Sequence, residues 1–336
     1  MLSRIKSWSM SVAAGGALAC AALTLAAPAA QAADFPAHAL QFIVPYAPGG
    51  PLDTVARLLA QKVEPELGQT VIVENKPGAG GNIGASVAAK AKPDGYTLVM
   101  GAVAINAINP WLYSKLPFDP VKSFAPVTIV ASVPNVLILN KEFASTNHIK
   151  SVHDLIAYAK AHPGQLNFAS GGNGSAGHLA GALLNKRAGI DTVHVPYQGA
   201  SPAKLALLAN QANFMFDNLA SAAGLIKEGK VVALAVTTAQ RSSIYPKLPT
   251  MEEEGVKDFD LGTWFGVFAT GGTPKPVIDR LNKAYSKALE DPAVRKMLLT
   301  MGSDTKPDTP EAFAELVKHD LAKYKEIVKV SGAKIF

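Results

Sequence analysis

The chain has 336 residues, 49% of them hydrophobic and 17% charged, with a formal net charge of +6. Its Lys and Arg residues are scattered rather than gathered into a stripe, so the positive balance does not describe a nucleic-acid surface. One cysteine, Cys20, excludes a disulfide framework.

The N-terminus reads as a signal peptide over residues 1–32. Arg4 and Lys6 make a positive start, and residues 12–27 form an Ala-rich apolar core. That core is shorter than the roughly 20 residues a membrane span needs. Ala30-Gln31-Ala32 then places small residues where a signal peptidase requires them, so cleavage is expected near Ala32 and Cys20 leaves with the leader. Anchoring as a lipoprotein through Cys20 is disfavoured, because Ala17 stands where the attachment motif carries Leu. No later segment is apolar for long enough to span a bilayer, which predicts a periplasmic product. The roughly 300 residues left exceed what one hydrophobic core organises, and two domains are expected.

In chain order, strands are predicted at 40–45, 70–74 and 96–100, with helices at 53–66 and 82–91 between them. In the middle of the chain, strands at 166–169, 192–195, 213–216 and 231–237 are separated by helices at 178–188, 202–209 and 219–227, after a helix at 151–161. Alternating strands and helices predict an α/β protein with parallel sheets covered on both faces. Near the end, Thr273-Pro274 and Thr309-Pro310 each place a hydroxyl before a first-turn proline, which is a helix-start signal. Apolar stripes follow: Val277, Ile278, Leu281 and Tyr285 in one helix, and Phe313, Leu316, Val317, Tyr324 and Val328 in the other.

Residues 126–140 and 261–269 are too apolar to be ordinary loops and are read as two strands crossing between domains. The first domain then comprises 33–134 plus 255–336, and the second is an insertion of 135–254. A cleft follows from two domains joined at a hinge, and such clefts favour small ligands.

Five loop regions at strand ends could meet a ligand. The first, residues 45–53, contains Tyr46, Ala47, Gly49, Gly50 and Asp53; its glycines permit close backbone approach, and a helix start follows. Asp53 reads first as a helix cap paired with Arg57 at i+4, and only second as a ligand contact. Residues 74–82 read as a structural turn. The third region, 101–109, offers Asn106 and Asn109. Residues 170–178, with Ser170, Asn173 and Ser175, supply hydroxyls, an amide and exposed N–H groups suited to a carboxylate. The fifth region joins Gln198 to Asp217, which stands at a strand end where an α/β sheet presents residues to its cleft, or else caps the next helix. Ionised, Asp217 accepts hydrogen bonds only, and so suits an ammonium, amide or hydroxyl at the ligand's far end. None of the five regions contains an arginine.

The ordered segments PYAPGGPLDTVAR, ENKPGAGGNIGA, INAINPWLY, GGNGSAGHL, VPYQGASPA, MFDN and WFGVFATGGTP resemble the periplasmic solute receptors of tripartite tricarboxylate transporters, the Bug-type receptors. The resemblance covers essentially the whole chain after the leader. It implies a two-domain Venus-flytrap fold, a carboxylate held by loop backbone, hydroxyls and bridging waters, no cofactor and no metal. It also implies a small organic solute (a carboxylate, amino acid or amide) and transporter membrane subunits as partners of a monomer. Carried over residue by residue, the first-domain clamp falls on Tyr46, Ala47, Gly49 and Gly50. The carboxylate loop falls on Ser170, Asn173 and Ser175, and the variable end of the ligand faces Asp217. Lys204 and Ala209-Asn210 depart from the acidic residue and Gly-containing turn of many relatives. So does Ala102-Val103-Ala104, where relatives have Ser, Thr or Gly.

The rival reading is an exported enzyme using the Gly-rich loop 171–177. Residues 172–177 match G-x-G-x-x-G, but Asp191 precedes the next strand instead of ending it, against a dinucleotide site. Ser175 lacks the glycine two positions earlier that a nucleophile elbow requires, and no carboxylate partner for His178 is identifiable. No two His stand at i, i+4, so no helical metal pair is present in the sequence.

Overall fold

The computed structural model describes residues 35–303, 307–333 and 335. The leader, its Ala30-Gln31-Ala32 triplet and Cys20 lie outside the described residues.

Strand β1 (Leu40–Val44) is almost wholly buried and leads through a glycine-rich turn into α1 (Pro51–Leu67). Gly50 is the N-cap and Pro51 opens the helix, where its missing N–H costs nothing; Gly68 closes it in a left-handed conformation. The apolar stripe Val55, Leu59, Val63 and Leu67 faces the core. Then come β2 (Val71–Asn75), α2 (Asn82–Ala89), β3 (Thr97–Ala102), a π-helical turn (Ala104–Ile108) and α3 (Asn109–Leu112). β4 (Phe124–Asn140) is a single strand of 17 residues. Beyond it lie α4 (Lys141–Thr146), α5 (Val152–Ala161), β5 (Leu166–Ser170), α6 (Ala176–Ala188), β6 (Thr192–Pro196), α7 (Ala200–Leu208), β7 (Phe214–Asn218), α8 (Leu219–Lys227) and β8 (Val231–Val236). The chain ends with β9 (Gly262–Thr270), α9 (Lys275–Glu290), α10 (Pro292–Thr300) and α11 (Pro310–Ser331).

These strands make two sheets that share β4. In the first the order is β2-β1-β3-β9-β4, and in the second β8-β4-β7-β5-β6. Pairings among β1, β2 and β3, and among β5, β6 and β7, are parallel, whereas β4, β8 and β9 pair antiparallel. The sheets are therefore mixed rather than wholly parallel. The difference comes from the strand the two sheets share: β4 pairs antiparallel with β9 in the first and with β7 and β8 in the second. At roughly 3.3 Å per residue, 17 residues suffice for β4 to traverse both.

The switch from one sheet to the other is sharply placed. Residues up to Pro134 pair with β9, and residues from Asn135 pair with β7 and β8. Three polar side chains close the backbone there. Thr237 donates to Leu261 O at 2.6 Å and accepts from Asn135 N–H at 3.2 Å, while Thr263 donates to Val133 O at 2.6 Å and accepts from Asn218 Nδ2 at 2.7 Å. Buried polar groups held this way keep two peptide strands satisfied where the ladder changes partner.

Helix α11 ties the lobes together by packing on β4, on α6 and on the π-helical turn. Thr309 caps it by accepting from Ala312 N–H, as the Thr-Pro signal predicts. Thr273 does not cap α9: its hydroxyl donates to Thr270 O, and the helix begins after Pro274. Phe313 of α11 packs against Phe268 and Trp264 of β9 with ring centres 4.8 and 5.3 Å apart. Trp264 Nε1 donates to Asp320 at 2.8 Å, and Tyr324 donates to Gly262 O at 2.5 Å. Trp111, partly exposed, donates to Leu321 O at 2.8 Å.

Candidate functional site

In the first lobe the turn after β1 leaves Ala47 and Gly49 exposed, with Tyr46 and Gly50 half-buried. Gly49 has φ +78°, a conformation that L side chains rarely adopt, whereas Gly50 is extended and open, so only Gly49 needs to be glycine for its backbone. Asp53 is buried and stands in the third helical position, not at the cap. Its Oδ2 accepts from Gly49 N–H at 2.9 Å, and its Oδ1 meets Asn75 Nδ2 at 2.9 Å and Arg57 at 3.0 Å. Burial alone would raise this carboxyl, but the Gly49 N–H, Arg57 and Asn75 outweigh burial and hold it below the usual range. Asn75 also donates to Tyr46 O at 3.0 Å, so the turn is built from the inside.

The third region folds differently from a plain loop. Its π-helical turn buries Asn106, and Asn109 begins α3. A π turn is uncommon and marks functional places more often than an α turn does. Asn109 Nδ2 donates to Asn82 Oδ1 at 2.8 Å and to Gly80 O at 3.2 Å.

The second lobe supplies the loop between β5 and α6. Ser170 is fully buried; its Oγ is hydrogen-bonded to His194 Nε2 at 2.7 Å and accepts from Gly172 N–H at 3.2 Å. Asn173 is exposed, and Ser175 caps α6 by accepting from His178 N–H at 3.2 Å. His178 Nδ1 accepts from Gly174 N–H at 3.1 Å, which requires that nitrogen to be unprotonated. The two imidazoles stack with centres 4.0 Å apart. Burial depresses both, and for His194 burial together with its neighbour His178 brings the value to about 4. The loop is thus pinned from beneath by two neutral histidines.

Two glycines explain the G-x-G-x-x-G pattern without a nucleotide. A methyl group on Gly177 would stand 2.3 Å from Phe216 O, so only glycine lets α6 approach β7. Gly174 has φ +81°, and a methyl there would meet Ile335, Leu112 and Asn109 Oδ1 at 2.9, 3.2 and 3.4 Å. The second lobe's loop therefore touches the first lobe's α3.

Gln198 is exposed at the end of β6, and Tyr197 N–H donates to Ser170 O at 3.0 Å, which sets this segment beside the loop. Asp217 is buried on β7, and its Oδ1 accepts from Asn218 N–H at 2.9 Å. Burial pushes it up to about 6, against Lys204, the Ser221 hydroxyl and the Asn218 N–H. Lys204 reaches from α7 to donate to Ser221 O at 2.8 Å.

Of the sequence-predicted residues, Ser170, Asn173, Ser175 and Gln198 gather around one loop, with Asp217 one residue beyond the carbonyl that packs on it. Tyr46, Ala47, Gly49, Gly50 and Asp53 gather around the first-lobe turn. Asn106 lies within the π turn, with its Oδ1 close to Gly101. Sequence reasoning left out His194, Asn75 and Asn82. The β5–β6 register sets His194 against Phe168, two residues from Ser170, a pairing fixed only in the fold. No group of three metal-ligating side chains is found among the described residues, and no helix there is long and apolar enough to cross a membrane. An open hollow between α1 and α9 is lined by charges already paired with each other, Lys62 with Asp291 and Lys287 with Glu66.

Residues 55–333 match the model of the tripartite tricarboxylate transporter family receptors. The chain is 34% identical to Protein BugT of Bordetella pertussis over 93% of this chain and 94% of that one. It is 36% identical to a protein encoded in the tcbD-tcbE intergenic region of Pseudomonas sp. (strain P51), over 91% and 90% of the two chains. Among solved structures, an R. palustris protein with adipate is similar with TM-score 0.83 and 33% identity, covering 90% of this chain and all of that one (100%). Periplasmic binding protein BugD gives 0.80 at 36% identity over 89% and 99%, and MatC from Rhodopseudomonas palustris with bound malate gives 0.79 at 35% over 88% and 100%.

Proposed function

Because the chain belongs to the family of tripartite tricarboxylate transporter receptors, whose members are periplasmic receptors, we propose that it captures a small organic carboxylate between its two lobes and hands it unaltered to transporter membrane subunits. The fold is the two-domain periplasmic-binding-protein fold with two crossover strands, and the chain is a solute receptor of the Bug type. The observation that carries the reading is the contact of Gly174, on the second lobe's recognition loop, with Asn109 and Leu112 of the first. Two lobes meeting through their ligand loops describe a closed flytrap, which a solute touching both would favour.

The first lobe is 33–134 plus 255–336 and the second 135–254; the change of strand partners at Asn135 supports the first limit. Tyr46, Ala47, Gly49 and Gly50 present backbone to the carboxylate from one side, and Ser170, Asn173 and Ser175 from the other, with Gln198, Asn106 and Asp217 around the rest of the solute. Asp53 acts from behind, by fixing Gly49. The leader ends near Ala32, the mature chain works as a monomer, and it needs neither cofactor nor nucleic acid. The relatives solved with adipate and malate support small dicarboxylates as first probes.

Calorimetric titration with adipate, malate and a panel of organic acids should give saturable one-site binding, a raised melting temperature by mass action and compaction in solution scattering. Failure of every small carboxylate to bind would sink the proposal. Recovery of the bound solute chemically altered after long incubation would favour the enzyme instead.

A further inference from the structure

Gly174 is where the second lobe's recognition loop meets the first lobe, and one ring holds it there. Its N–H donates to His178 Nδ1 at 3.1 Å, and a side chain added at its α-carbon would meet Ile335, Leu112 and Asn109. His178 also donates its own backbone N–H to Ser175 Oγ at 3.2 Å, so it clamps the two residues before α6. Behind it His194 stacks at 4.0 Å, bonded through Nε2 to Ser170 Oγ at 2.7 Å and stacked on Phe168 at 4.9 Å.

This arrangement suits one protonation state. Nδ1 of His178 accepts only while it carries no proton; protonated, it would set N–H against N–H. The ring stands at the third position of α6, at the helix's positive end, where a cation is disfavoured. Charging both rings would put two cations face to face. The helix packs on β5, β6, β7 and α11. From β5 come Phe168 and Ser170, and from β7 Phe216 O, with Asp217 next along the strand. On α11, Glu311 and Glu315 pair with Lys275 and Lys318, Asp320 is held by Trp264, His319 and Lys323, and Lys325 lies over Trp111; Glu326 and Lys329 are exposed. Lys186 and Arg187 stand in the last turn of α6. None of these charges shifts His178, which burial alone depresses, and His194 feels only burial and His178.

We infer that His178, backed by His194, is a positioning residue for solute capture: it holds the recognition loop against the first lobe only while its ring is neutral, so that acid frees the loop and releases the solute. The inference rests on the receptor reading and adds to it a proton-linked release. In a freed loop the rings return to the ordinary histidine range near 6.5. A value lowered in the closed form means that the rings support closure above that range and withdraw support as pH falls, over a window from about 6.5 to about 4. Because Ser170, Asn173 and Ser175 sit on this loop, all carboxylates should lose affinity together.

The test measures adipate and malate binding by calorimetry at pH 8 and pH 4.5 on the wild type, on His178→Ala and on the double variant His178→Asn/His194→Gln. The amides of Asn and Gln place polar atoms where Nδ1 and Nε2 stood and do not titrate. Both solutes take up protons of their own in acid, and comparison with the double variant removes that common part. On going to pH 4.5 the wild type should lose at least about tenfold more affinity than the double variant. His178→Ala lacks the acceptor and should bind about tenfold more weakly than the double variant already at pH 8. Hydrogen exchange on the solute-free wild type reads the loop directly: residues 170–178 should lose protection at pH 4.5 while residues 214–218 of β7 keep theirs. Melting curves establish folding, and if the double variant does not fold, the wild-type exchange profile decides alone. The same pH dependence in wild type and double variant, affinity that rises in acid, or a loop still protected at pH 4.5 would each overturn the inference and leave the receptor standing. Acid release of the loop with neither solute bound at any pH would instead count against the small-carboxylate reading and uphold the role of His178 in the loop.

Discussion

Asp53 and Asp217 are both buried aspartates beside a strand-to-helix turn, one in each lobe, and their surroundings push them in opposite directions. Asp53 has a backbone N–H, an amide and a guanidinium, and its carboxyl is held low. Asp217 has one backbone N–H and an oxygen without a hydrogen bond, and burial pushes it to about 6. A completed set of bonds makes the first a building element of the turn it holds. The uncompleted set leaves the second a buried carboxylate with one oxygen unmet by the protein.

The largest effect that would break this comparison lies under the second lobe's loop. Gly177→Val forces a side chain into Phe216 O, and the loop cannot keep its place over β7. The expected outcome is a loss of about 3 kcal/mol or more in stability, measured by urea unfolding, together with loss of all solute binding. Next comes Asp53→Ala, which removes the Gly49 and Asn75 bonds and leaves Arg57 with Asn75 Oδ1 alone. It should destabilise by about 1–3 kcal/mol at pH 7, with weaker binding of every carboxylate alike. Because the folded pKa of Asp53 is lowered, its contribution is present above the ordinary carboxylate range and is lost as pH falls through it. The difference between variant and wild type should therefore shrink in acid.

Asp217→Asn should do the reverse. The folded pKa is raised, so the native state holds the proton more tightly than the unfolded chain, and ionisation costs stability as pH rises from about 4 to about 6. Removing that charge should stabilise the ligand-free protein by on the order of 1–2 kcal/mol at pH 8 and by nothing at pH 4. A variant less stable than wild type at pH 8 would show that Asp217 is as fully bonded as Asp53. The smallest effect concerns the stacked histidines. His194 is neutral in the fold down to about 4, so its stability contribution is present above about 6.5 and is lost as pH falls towards 4. His194→Phe keeps the stack on Phe168 and should flatten this slope by about 1 kcal/mol, discounted for partial exposure, at the price of the Ser170 bond.

Much of the fold was readable because its signals are local. Periodic apolar runs gave the alternating strands and helices, and the two long apolar segments marked the crossovers, since no surface loop tolerates so many buried side chains. Thr309-Pro310 announced α11 correctly, while the same dipeptide at Thr273 did not. There the hydroxyl found a nearer acceptor in Thr270 O, and sequence spacing cannot rank two acceptors. The π turn at 104–108 was invisible for a similar reason: Ala, Ile and Asn in that order are compatible with an ordinary helix.

Determined by sequence alone were the α/β class, the doubled lobe, the receptor family and the set of loops, because hydrophobic period, glycine placement and ordered motifs are properties of the chain itself. Tertiary structure decided which polar atoms in those loops are spent and which remain unmet. Asp53 and Asp217 are the same residue in similar settings. Only the neighbours brought in from distant segments distinguish them: Asn75 for the one, and the buried wall of β7, Lys204 and Ser221 for the other. Likewise, nothing in the sequence says that Asn109 gives its amide nitrogen to Asn82 and turns its oxygen towards Gly174. Hydrogen-bond satisfaction depends on distance and direction between residues far apart along the chain, and those are fixed only when the lobes are folded and packed together.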